Sequence, residues 1–106
     1  MAQAPRRALI VIDAQNEYFS GKLLIEYPDP KKSLANIGRA MDAAAQAGVP
    51  IVVVQQFAPP GAPIFARDTV NYELHESVAR RKRDHLIEKK LPSAYAGTDL
   101  ADWLAK

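Results

Sequence analysis

Arg7-Ala8-Leu9-Ile10-Val11-Ile12-Asp13-Ala14-Gln15 is the stretch that decides the fold. Five apolar residues, Ala8 to Ile12, run unbroken and stop at a carboxylate. Such a run, rich in β-branched residues, reads as a strand buried on both faces. Strands of that kind lie inside parallel sheets with helices packed on each side. Open α/β folds carry their chemistry at the carboxyl ends of such strands. Asp13 is therefore the first candidate site residue. A loop aspartate bonded to nearby amides is the structural alternative.

Outward from this stretch, composition sets bounds. The 106 residues make one small domain with a modest core. Hydrophobic residues at 48% and charged residues at 25% exclude a disordered chain. A net charge of +2 is too small to call for nucleic acid. The run Arg80-Arg81-Lys82-Arg83 reads as a solvated helix end, since no aromatic platform accompanies it. There are no cysteines, so disulfides, thiolate metal sites and a cysteine nucleophile within these residues are excluded. The apolar run after Arg6 and Arg7 is too short for a secretory signal or a membrane span. The expectation is a cytoplasmic protein that meets neither membrane nor nucleic acid.

Residues 1–6 read as a loose tail, and residues 22–28 as irregular. Asp29-Pro30 opens a helix, as N-cap and first helical residue, with Ser33 as the alternative start. Leu34, Ile37, Met41, Ala44 and Ala45 form its apolar stripe. Gly48 ends it, and Pro50 prevents its resumption. Ile51-Val52-Val53-Val54-Gln55 is a second buried strand, parallel to the first through a right-handed crossover. Ala58-Pro59-Pro60-Gly61-Ala62-Pro63 reads as a loop over the carboxyl edge of the sheet. A short helix follows near residues 73–78, and its lone His75 is given no metal role. Asp84-His85-Leu86-Ile87-Glu88-Lys89 is an edge strand. Thr98 caps a last helix with Leu100, Trp103 and Leu104 on its apolar face.

Several motifs are missing. Asp13-Ala14-Gln15-Asn16-Glu17-Tyr18 has no glycine for a dinucleotide's pyrophosphate, and there is no P-loop. A receiver domain of a signalling pathway also carries an acid after strand one. It needs a carboxylate cluster for Mg²⁺, and only Asp13 lies at a predicted strand end. What stands out is the pair Asp13 and Lys89. Both end predicted parallel strands and face one sheet edge. They read either as an acid–base pair around a nucleophile or as a structural salt bridge.

Leu9 to Phe19 resembles the opening motif of the isochorismatase-like cysteine hydrolases. A second match runs from Ile87 to Leu100 and includes Lys89, Ala94-Tyr95 and Gly97-Thr98. Tyr95 stands where phenylalanine is usual. Gly48 to Val54 and Glu73-Leu74-His75 are also similar to the family. The resemblance implies a three-layer αβα, Rossmann-like parallel sheet, with the first three of six strands present. Residues 1–106 would be the N-terminal portion of one such domain. It implies an Asp-Lys-Cys triad, with Asp13 as proton acceptor and Lys89 as the cation favouring thiolate. The cysteine would lie outside this chain. The activity implied is hydrolysis of a small amide-like substrate, with this chain inactive alone. Gln15, Phe19 and Tyr95 are the candidate pocket residues. Nicotinamidases of the family hold a metal through Asp-x-His. Gln55-Gln56-Phe57 stands there, so neither metal nor cofactor is expected. The expected partners are a small substrate and the rest of the domain or a second chain completing the sheet. A homo-oligomer is also expected. The alternative is a non-catalytic α/β module of the same fold that assembles with another chain.

Overall fold

The computed structural model describes residues 7–26, 29–91 and 93–105. The proposed tail at 1–6 and part of the 22–28 segment lie outside the described residues. Three strands, β1 (Leu9–Ile12), β2 (Ile51–Gln56) and β3 (His85–Lys89), form one parallel sheet in the order β1-β2-β3. The registers are Leu9 with Ile51 and Val52 with His85. Parallel strands need a long crossover, and α1 (Pro30–Ala47) supplies the first. A long loop and the short α2 (Glu76–Ala79) fill the second. The last element is α3 (Leu100–Leu104).

Strand residues alternate between two cores, which gives the three-layer αβα arrangement. On one face Val11, Ile51 and Val53 pack with Met41 and Ala44 of α1 and Val78 of α2. On the other, Val52, Val54 and Ile87 pack with Leu100, while Trp103 and Leu104 add partial cover. Val52, Val53 and Val54 have no exposed surface, and each buried valine side chain contributes about 1.5–3 kcal/mol. β2 is thus the strand buried on both faces. β1 is not, because it has a neighbour on one side only. Ile12 remains 51% exposed. The apolar run before Asp13 therefore belongs to an edge strand among the described residues, and of the two strands expected to be buried β2 is the one buried on both faces. β3 forms the other edge, as its charged ends imply.

The ends of α1 follow local chemistry. The Asp29 carboxylate accepts the Lys31 N–H at 2.9 Å, and Pro30 takes the first helical position. Gly38 is buried because the Arg81 guanidinium crosses it. A Cβ there would lie 2.8 Å from Arg81 Nη2. Arg81 meanwhile donates to Asp42 at 3.0 Å, so one member of the basic run clamps α2 to α1 instead of standing in solvent. At the other end Gly48 adopts φ 72°, a left-handed conformation that glycine enters without strain. An added Cβ at Gly48 would meet nothing within 4 Å. Gly48→Ala isolates the backbone cost. It is expected to lower stability by about 1–2 kcal/mol in urea unfolding, with the slope unchanged.

Candidate active site

The site lies where β1, β2 and β3 end together. β1 leaves the sheet at Asp13, whose N–H donates to Val54 O at 2.9 Å. Asp13 adopts φ 60°, an uncommon left-handed conformation for a residue with a side chain. Strain of this kind collects at functional positions. The turn brings the Asp13 carboxylate to 3.4 Å from Lys89 Nζ at the end of β3. The two candidates chosen from sequence thus meet over the end of β2.

Their environments differ. The Lys89 side chain is 3% exposed and that of Asp13 is 24% exposed. Burying an ammonium is costly unless it is paired and hydrogen-bonded. Lys89 Nζ donates to Gln56 Oε1 at 2.7 Å and to Leu91 O at 3.3 Å, besides facing Asp13. Asp13 Oδ1 is buried with no hydrogen-bond partner among the described residues. Burial raises the Asp13 pKa, while the charge and hydrogen bonding of Lys89 pull it down; burial is the larger effect. A carboxylate with one unpartnered oxygen and a raised affinity for protons is suited to accept one.

The three candidate pocket residues have different surroundings. The Gln15 side chain is buried and engaged with backbone. Its Nε2 donates to Gln56 O and Tyr72 O, each at 2.7 Å, and its Oε1 accepts Gln56 N–H at 2.8 Å. Phe19 packs its ring edge-on against His75, with centroids 5.1 Å apart. His75 also caps α2, its Nδ1 accepting the Ser77 N–H at 3.1 Å. Tyr95 lies in the turns after Lys89 and is 55% exposed. The neighbouring Tyr18 is closer in its electrostatics to the centre. Burial raises its phenol pKa most, and the charges of Asp13 and Glu17 add to the rise.

Two contributors were not singled out from sequence. Glu17 is 1% exposed, and its carboxylate accepts Phe65 N–H at 2.8 Å and Lys22 N–H at 2.7 Å. It ties the Pro/Gly-rich loop to the loop after β1. Gly21 makes room for it, since a Cβ there would lie 2.3 Å from Glu17 Oε2. Glu17 falls within the opening motif, but nothing local marks it as buried. Gln56 is the other. It ends β2, the strand buried on both faces among the described residues, and that apolar run is the available signal. Among the described residues no group of three or more His, Cys, Asp or Glu is placed to hold a metal ion. No described helix is long and apolar enough to cross a membrane.

Comparison with known proteins gives this geometry a family. The model of the isochorismatase domain matches residues 7–106. A secreted isochorismatase effector of Verticillium dahliae is 34% identical, over 92% of this chain and 50% of its own length. Streptothricin hydrolase of Streptomyces noursei is 31% identical, over 89% of this chain and 33% of its own. A crystal structure assigned as an isochorismatase from Burkholderia xenovorans superposes with a TM-score of 0.94 at 66% identity, covering 97% of this chain and 50% of that one. The chain spans about half the length of the first curated relatives it matches. The family model covers nearly the whole chain and the fold superposes closely on that crystal structure, so the chain belongs to the isochorismatase family.

Proposed function

We propose that this chain supplies Asp13 and Lys89 to the active site of a hydrolase that cleaves a small amide-like molecule through an Asp-Lys-Cys triad. The cysteine comes from outside these 106 residues, which contain none. The observation that carries the reading is the 3.4 Å pair of Asp13 and Lys89 at the carboxyl edge, with one Asp13 oxygen buried and unpartnered among the described residues. The similarity to a protein named streptothricin hydrolase supports hydrolysis as the reaction type.

In this reading Asp13 takes the thiol proton. The Lys89 ammonium favours the thiolate through its charge. The thiolate attacks the substrate carbonyl, the carbon–nitrogen bond breaks, and Asp13 returns the proton to the leaving nitrogen. Water then cleaves the thioester and releases the acid. Tyr18 joins Phe19 and Tyr95 as walls of the substrate pocket. Gln15 acts behind that wall, since its amide is engaged with backbone. The exposed Ile12 on the open side of β1 is where the rest of the domain, or a second chain, adds to the sheet. A non-catalytic module that assembles through the same edge is the second reading.

Turnover separates the two. In the complete protein, Asp13→Asn and Lys89→Met should each lower kcat/KM by about 100-fold or more on a panel of small carboxamides and N-carbamoyl amino acids, read by ammonia release. Asparagine tolerates the left-handed backbone and keeps an oxygen for Lys89. Both variants should stay folded by circular dichroism. Unchanged turnover in both would overturn the roles of Asp13 and Lys89, and no turnover by the complete protein would leave the module reading standing.

The pH profile gives an independent check. Only charged Asp13 accepts a proton, and its pKa is raised from 3.8. The acid limb of kcat/KM should therefore have its midpoint above 3.8, activity falling as pH drops through it. The 106-residue chain by itself should show no turnover on the same panel. Hydrolysis by it would overturn the assignment of the nucleophile to a cysteine.

A further inference from the structure

β1 ends two residues short of what the site needs. Its last partner on β2 is Val54, paired with Ile12. β2 runs on to Gln56, which pairs with Lys89 on β3. Beyond Ile12 the chain turns away through Asp13, so no β1 backbone is left to bond Gln56. The Gln15 side chain takes over that role. Its oxygen accepts Gln56 N–H at 2.8 Å and its nitrogen donates to Gln56 O at 2.7 Å. A primary amide offers one donor and one acceptor side by side, as a neighbouring strand does. On the other side of β2, Phe57 N–H donates to Lys89 O at 2.8 Å. The end of β2 is thus held from both sides.

The Gln56 side chain faces the same way as its register partner Lys89. An ammonium only donates, so the amide atom 2.7 Å from Lys89 Nζ is the carbonyl oxygen. A neutral acceptor suits this place. A carboxylate here would compete with Asp13 for the ammonium, and an apolar side chain would leave Nζ without that bond.

We propose that Gln56 is a positioning residue of the active site: its side-chain carbonyl fixes the Lys89 ammonium beside Asp13, and the Gln15 amide holds Gln56 in place. The proposal rests on Asp13 and Lys89 being the reacting pair, but the contact itself can be tested without turnover. Lys89 is one of the influences lowering the Asp13 pKa against burial. Loss of the grip on Lys89 weakens that influence.

The test is a double-mutant cycle read at the Asp13 carboxyl carbon by NMR titration of this chain. Gln56→Met keeps the volume and removes the acceptor. The Asp13 midpoint should move up in Q56M. In the Lys89→Met background the same change should move it little, because no ammonium remains to be held. Gln56→Asn, which draws the amide back by one carbon, serves as a second variant and should also shift the midpoint upward. An unchanged midpoint in the folded variants overturns the proposal. So does an equal shift with and without the Lys89 ammonium, since Gln56 would then act by another route. In the complete protein, Q56M should lower kcat by about tenfold to a hundredfold with KM within about twofold. A Lys89-dependent shift without any hydrolysis by the complete protein would remove the proposed function and leave the holding of the ammonium intact. A shift with hydrolysis unaffected by Q56M would overturn the positioning role.

Discussion

A buried ammonium is the constraint around which the carboxyl end of this sheet is arranged. Lys89 sits on an edge strand, yet its side chain is almost wholly removed from water. An uncompensated charge in that position is expensive, and removing one partner of a buried pair costs about 3–5 kcal/mol. Among the described residues, the surrounding segments answer this demand from at least three directions. The chain after β1 brings Asp13, the end of β2 brings Gln56, and the turn after β3 brings the Leu91 carbonyl. Each contact requires its own segment to stop or bend at a particular residue. The left-handed turn at Asp13 is one such bend.

The loops over this edge depend on the same economy of polar groups. Glu17 is buried but accepts two backbone N–H groups from different loops, which satisfies both of its oxygens. Gln15 and Gln55 both donate to the Tyr72 carbonyl, drawing the 70–72 turn over the ends of the strands. Further out, the Tyr72 hydroxyl donates to Glu88, and burial, with that hydrogen bond and the Glu88 charge adding to it, pushes the phenol pKa up to about 12. Buried amides and carboxylates here replace strand backbone where the sheet has run out. This is why polar residues at the ends of apolar strands carry so much of the local structure.

What the sequence disclosed divides along the same line. The apolar runs and the α1 caps were legible because they follow local rules: Asp29-Pro30 at one end, Gly48 and Pro50 at the other. Asp13 and Lys89 were legible because each stops an apolar strand, and parallel topology brings such residues to one edge. Burial was less legible. The runs before Asp13 and before Gln55 both read as buried strands, and only the pairing shows the first to be an edge, because strand order is not encoded in composition. The sequence places the cap of the last helix at Thr98, whereas the N-cap is Asp99; Thr98 lies one residue earlier, and its Oγ1 accepts Leu100 N–H at 3.3 Å. The roles of Gln15, Glu17 and Gln56 were not legible. Each is a polar residue whose partners lie 33 to 57 positions away for at least one bond. Only the folded chain brings those partners together.

The charge state of Asp13 sets stability against chemistry. Its pKa is raised in the folded chain, so between the ordinary 3.8 and that higher value the native state binds more protons than the unfolded one. Stability therefore falls as pH rises through this window, and above it the folded chain carries the cost of a charged, partly buried carboxylate whose Oδ1 has no partner among the described residues. Lys89 offsets part of that cost, and Gln56 holds Lys89 where it can do so. A second hydrogen bond to Asp13 Oδ1 would relieve more, but it would also lower the affinity of the carboxylate for protons. A structural salt bridge gains from such a bond, whereas a proton acceptor loses by it.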